Sequence, residues 1–212
     1  MSNPIPTSDN PLGQKVFGVG MQRTGTTSMT RALQVLGYDS AHFPADLWNN
    51  ESAPVLHRHD AFFDNPIPLL YQHLDRQCPG SKFILTIRDE DGWLDSCEFL
   101  FTEKREEYGF DESTRIQEMH HALYGQNHFS EEVFREAYRS HNREVKEYFS
   151  DRPDDLLILD IAQDDKWKPI CSFLGVEPPD EPFPHSHSSR FLDQILREAR
   201  KTLGSWYRTL AR

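Results

Sequence analysis

A glycine loop with an arginine inside it is the strongest chemical signal in this sequence. Residues 15–37 read KVFGVGMQRTGTTSMTRALQVLG. Gly20 and Gly25 are spaced as in a phosphate-binding loop, G-x-x-x-x-G followed by polar residues. Such a loop holds an anion for a local reason. Glycine lets the backbone come close, and the amides of the next helical turn point at the ligand with the helix dipole behind them. Here the lysine that usually follows the second glycine is replaced by Thr26, and a cation stands earlier, at Arg23. Thr24, Thr27 and Ser28 place further hydroxyls around the same helix start. The pattern predicts a site for a phosphate-like anion, held differently from the nucleotide of an ordinary ATPase. Its bland counterpart is a tight strand-to-helix turn with no ligand. The dinucleotide fingerprint G-x-G-x-x-G does not fit, because its third glycine falls on Arg23.

The elements that must position this loop follow from hydrophobic period. Val16, Phe17 and Val19 read as a buried strand, and Met29, Ala32, Leu33 and Leu36 recur at helical spacing before Gly37. Further strands are expected over 38–43, at Ala61-Phe62-Phe63, over 83–87 and over 156–160. Helices are expected over 67–77, from about 91, over 111–126 and 130–150, around Trp167 to Leu174, and from about Ser189. Val133, Phe134, Ala137, Tyr138, Val145, Tyr148 and Phe149 form one apolar stripe, read as core. Residues 45–59 carry no clear period. Strands alternating with helices predict an α/β fold, a three-layer sandwich on a mostly parallel central sheet with P-loop NTPase-like topology. Ligands of such sheets bind beyond the carboxyl ends of the strands. That rule gathers the loop at 20–27, His42, Asp64 and Arg88 at one rim, with Asp160 as a further candidate.

Composition bounds the partners. The 212 residues suit one domain, read as 15–212 with a loose Pro-rich arm at 1–14. A net charge of −11 disfavours nucleic acid and anionic membranes, so an anionic ligand needs a local positive site. Arginine supplies 16 of the 23 basic residues and suits planar contacts to phosphate or sulfate. Cys78, Cys97 and Cys171 show neither disulfide nor zinc spacing and are expected to be reduced and at least partly buried. With no membrane-spanning apolar run and no signal peptide, the expectation is a cytoplasmic protein. The pair His185 and His187 reads as a surface loop rather than a metal site, and Asn50-Glu51-Ser52 as a chance glycosylation motif.

MQRTGTTSM resembles the 5′-phosphosulfate loop of the sulfotransferase family, in which a Lys or Arg and a Ser or Thr precede G-T-T. The family's second motif, a strand ending in Arg with a Ser eight residues on, is matched by Arg88 after FILTI and by Ser96. HFP, FFDNP, FILTIRDEDGW and PFPH extend the resemblance from residue 15 to 184 and point to the small soluble branch of the family. Residues 200–206 are similar to the family's late R-K-G-x-x-G-x-W segment, with Thr202 in place of a Gly.

The resemblance implies 3′-phosphoadenylyl sulfate (PAPS) as donor, 3′-phosphoadenosine 5′-phosphate (PAP) as product, and no required metal. It implies donor contacts at Gly20, Arg23, Thr24, Gly25, Thr26, Thr27 and Ser28, with Arg88 and Ser96 on the 3′-phosphate. Arg23 would stabilise the transferred group, and Asp64, or else His42, would be the general base. The expected acceptor is a small molecule or a neutral glycan or lipid. Residues 44–59 and 99–130 are expected to build its pocket, with Phe99, Phe101, Tyr108, Phe110 and Tyr124 as candidate lining. Two alternatives fit parts of the pattern. One is a nucleotide kinase or NTPase using Asp160 and Thr27 for magnesium; the other is a non-catalytic nucleotide-binding module.

Overall fold

In a computed structural model, which describes residues 12–50 and 54–184, five strands form one wholly parallel sheet. The strands are β1 (Val16–Gly18), β2 (Ser40–His42), β3 (Ala61–Phe63), β4 (Lys82–Ile87) and β5 (Leu156–Asp160). Their order across the sheet is β2-β3-β1-β4-β5. The predicted α/β architecture is therefore correct, and β1, which feeds the glycine loop, lies at the centre. The register places Phe17 beside Phe62 on one side and Phe83 on the other. Their rings stack at 5.6 and 5.5 Å, a ladder across the three inner strands.

The helices are α1 (Thr26–Val35), α2 (Val55–Arg58), α3 (Ile67–Gln77), α4 (Glu90–Thr102), α5 (Thr114–Tyr124), α6 (Glu131–Tyr148) and α7 (Trp167–Leu174). Strand side chains alternate between faces, and each face has its own cover. Phe17, Phe62, Phe83 and Leu85 pack with Ile67 and Leu74 of α3, Val145 of α6 and the adjoining Phe149. Val16, Ala61, Phe63 and Ile84 pack with Met29 and Leu33 of α1 and Ile170 of α7. A further cluster joins α4, α5 and α6 through Trp93, Leu94, Cys97, Phe101, Tyr124 and Phe134. All three cysteines are free and buried. Burial pushes the Cys78 thiol up to about 11, so it stays protonated and inert at neutral pH.

Two expectations need correction, and one unassigned segment is resolved. The apolar run 156–160 predicts a fully buried strand, but β5 is an edge strand and Ile158 is 45% exposed among the described residues. Val133 belongs to the apolar stripe of α6 by spacing, yet it lies on the exposed side of the helix. Residues 45–59 contain a 3-10 turn at Ala45–Leu47 and α2, each too short for a periodic signal. His185, His187, residues 200–206, the helix expected from Ser189, Glu51 and Ser52 of the motif at 50–52 and most of the 1–14 arm lie outside the described residues. No described helix is long and apolar enough to cross a membrane.

Candidate functional site

The rim residues converge on one cavity of about 800 Å³, within the range of ligand pockets. It is lined by Arg23, Gly25, Thr26, Thr27 and Ser28 of the loop, by His42, Asp64, Arg88 and Ser96, and by an apolar wall from α4 and α5.

The loop is shaped from beneath. Gly20 passes so close to β4 that a Cβ there would stand 2.1 Å from Thr86 Oγ1 and 2.5 Å from the Thr86 carbonyl oxygen. Thr24 is fully buried, and its hydroxyl bonds the Met21 carbonyl and Thr86 Oγ1, each at 2.6 Å. Its side chain therefore braces the loop rather than facing the cavity, and Gly20 is likewise absent from the lining. Trp93 Nε1 of α4 donates to the Gln22 carbonyl at 3.0 Å. Arg23 and Gly25 both take left-handed backbone, φ 70° and 87°. For arginine that conformation is strained by of order 1–3 kcal/mol, and such strain gathers at ligand-binding positions. Helix α1 begins without a side-chain cap, and the Gly25, Thr26 and Thr27 amides have no acceptor among the described residues. That is an anion-binding start.

Two arginines flank it. Arg23 Nε donates to Ser96 Oγ at 2.9 Å, so Ser96 is tied to Arg23 and not to Arg88. Arg88 Nη1 reaches the Arg23 carbonyl at 3.4 Å. Its buried Nε makes no hydrogen bond, and Asp89 stands 4.0 Å away. The Arg88 backbone is gripped on both sides by Tyr138 of α6, whose hydroxyl accepts from the Arg88 amide and donates to its carbonyl, each at 3.0 Å. One turn on, His141 Nε2 donates to the Val19 carbonyl at 2.7 Å.

Across the cavity mouth, His42 and Asp64 meet. His42 Nε2 lies 3.1 Å from Asp64 Oδ2, with the Thr26 and Thr27 hydroxyl oxygens at 3.3 and 3.2 Å. Asp64 Oδ2 also accepts from Thr26 Oγ1 at 3.0 Å, and Oδ1 from the Asn65 amide at 2.7 Å. Burial pushes the Asp64 carboxyl up. The His42 hydrogen bond and charge, the Asn65 amide and the Thr26 hydroxyl outweigh it and hold the group below the usual carboxylate range. The two rival bases of the sequence reading are thus partners. Asp64, with φ 74°, and Phe43, with φ 53°, share the left-handed backbone of Arg23 and sit on the same cavity.

Other expected lining divides. Phe99, Tyr108 and Phe110 face the cavity, whereas Phe101 and Tyr124 are buried in the α4–α5–α6 cluster. Residues 44–59 contribute instead to a separate shallow hollow lined by Asp46, Trp48, Arg58 and Arg115. Asp160 turns away, its carboxylate accepting from the Ala162 amide at 2.8 Å. Ile161, Lys166, Phe183 and His120 also line the cavity, and none of them is singled out as a site residue by its local sequence. Each is brought there by the fold, from the strand end at β5, from the turn into α7, from the segment after α7 and from α5. Among the described residues no cluster of three or more His, Cys, Asp or Glu is arranged to hold a metal ion.

No curated protein matches the sequence. The sulfotransferase domain family does match, over residues 15–191. That span holds every strand and helix described above together with the whole rim, and the chain belongs to the sulfotransferase domain family.

Proposed function

We propose that the protein moves a sulfuryl group from PAPS to an acceptor hydroxyl or amine and releases PAP. The observation that carries this reading is the pair of arginines, Arg23 in the loop after β1 and Arg88 just past the neighbouring β4, that line one cavity together with an uncapped helix start. Bound PAPS supplies an activated sulfuryl group whose bond to the 5′-phosphate breaks as the acceptor oxygen bonds to sulfur.

The chain's residues fit that donor. The Gly25, Thr26 and Thr27 amides suit a 5′-phosphate. Arg88 suits a second phosphate, since its buried Nε has no hydrogen-bond partner of its own. Arg23, aimed by Ser96, stabilises charge that develops on the leaving oxygen. His42 and Asp64 act as a dyad. Asp64 accepts a hydrogen bond from His42 Nε2–H and orients the ring as base, while the low carboxyl affinity for protons makes Asp64 the poorer base. The apolar wall of Phe99, Leu100, Phe110 and Ile116 suits a small acceptor with an apolar body.

Ligand-dependent melting tests the reading. PAP without magnesium should raise the melting temperature, by the equivalent of about 2.7 kcal/mol at 100 times Kd. Arg88→Ala should keep its fold and lose most of that rise. Stabilisation by ATP only in the presence of magnesium, with none by PAP, would replace this reading with a nucleotide kinase or NTPase.

A further inference from the structure

His120 sits on α5 in the cavity wall, only 2% exposed. Its ring is held by Phe101, Phe110 and Tyr124 at centroid distances of 4.6, 4.5 and 6.0 Å. Its proton position follows from its neighbours. Asn127 Nδ2 donates to the Phe110 carbonyl at 3.0 Å, which fixes the amide so that Oδ1 faces His120. Asn127 Oδ1 lies 2.7 Å from His120 Nδ1 and can only accept, so Nδ1 carries the hydrogen. Nε2 is then a bare lone pair, and it has no hydrogen-bond partner among the described residues. Burial pulls the imidazole down to about 4, against the opposing Asn127 hydrogen bond and a smaller pull from the Asp64 charge, so the ring is neutral at pH 7.

An acceptor on a cavity wall with no protein donor is completed by water or by a donor on the ligand. The surrounding wall is Phe99, Leu100, Phe110, Ile116 and Met119, all apolar. On the reading of the cavity as a sulfotransferase site, we infer that His120 Nε2 accepts a hydrogen bond from a second hydroxyl or N–H on the acceptor, apart from the group sulfated, and so selects compact apolar acceptors with two donors over those with one. The dyad at His42 and Asp64 takes one donor, and His120 takes the other. His120 is a specificity-determining contact and does not receive the transferred proton.

The probes are dihydroxybenzenes (1,3 and 1,4) and the methylphenols of the same substitution, which keep the shape and one hydroxyl. Binding is measured by calorimetry with PAP present and absent. The wild type should prefer the dihydroxy compounds about ten- to a hundredfold. His120→Phe should abolish the preference while leaving PAP affinity unchanged, and His120→Gln, which keeps an acceptor oxygen, should retain part of it. Equal binding of both probe sets, binding of neither, or a preference that survives in His120→Phe overturns the inference. Long-range 15N–1H correlation on histidine-labelled wild type gives a readout free of any variant. His120 should show an unprotonated Nε2 and no titration between pH 7 and pH 5, and a protonated Nε2 sinks the proposal. Loss of PAP binding with His120 behaving as described would instead indict the donor assignment alone.

Discussion

At the scale of single residues, the site separates aiming from reacting. Arg23 is aimed by Ser96 and by its own left-handed backbone; His42 is aimed by Asp64. A dyad has a kinetic signature. His42→Gln should lower turnover roughly 10²- to 10⁴-fold with PAP affinity retained. Asp64→Asn should also lower it, and the double variant should be little worse than the worse single one, because the two residues act as a unit. Single-turnover assays with labelled donor read this directly. Near wild-type turnover in His42→Gln with a large loss in Asp64→Asn would make Asp64 the base. The positions of His42 and Asp64 at strand ends were legible in the sequence, since Asp64 follows the apolar run Ala61-Phe62-Phe63 and His42 falls in the short strand expected over 38–43. Their pairing was not, because β2 and β3 are 18 residues apart in the chain, and adjacency in the sheet is set by packing of both faces.

At the scale of elements, α6 organises the site without lining it. Tyr138 and His141 lie three residues apart on its buried face and hold the ends of β4 and β1. Arg135 and Arg139 on the same helix pair with Glu90, anchoring the start of α4. Tyr138→Phe removes the partner of both the Arg88 amide and the Arg88 carbonyl. Stability should fall by about 1–3 kcal/mol in denaturant melts, and PAP should bind more weakly because Arg88 is no longer held. Unchanged PAP affinity would mean that Arg88 is placed by other contacts.

Periodicity was enough to find α6 and to assign its stripe, Val133 apart, to the core. It could not tell that Tyr138 of that stripe and His141 one turn on use their heads on backbone groups. Nor could it place β5 at an edge, because an apolar pentapeptide reads alike at the centre and the margin of a parallel sheet. Spacing did reveal the loop, since Gly20 is demanded by a contact with Thr86 that a Cβ would ruin and Gly25 by its left-handed backbone.

At the scale of the whole molecule, buried histidines tie stability to pH. His120 is neutral when folded and takes a proton near its ordinary value when unfolded. Between about pH 6.5 and 4 the unfolded chain therefore binds more protons, and stability falls as pH falls. His141, also pulled down by burial, adds in the same direction. For His120 the gap from 6.5 to about 4 corresponds to roughly 3 kcal/mol. Asp64 acts lower down: its contribution is present above the unfolded carboxyl value near 3.8 and is lost as pH falls through its depressed folded value. Denaturant melts from pH 7 to 4 should show a flatter dependence in His120→Phe than in wild type, and parallel curves would exclude His120 as a source.

The grip of Tyr138 and His141 has a metric consequence. Both contacts come from one turn of one helix, so the interval between the glycine loop and Arg88 is copied from the pitch of α6, a rigid ruler, and not from pliant loops. If the site holds PAPS as proposed, a nucleotide should be accepted when its two phosphates match that interval. The 2′,5′-bisphosphate isomer of PAP carries the same charge at a different spacing. It should bind at least tenfold more weakly in competition calorimetry, and equal affinity would show that the ruler bends.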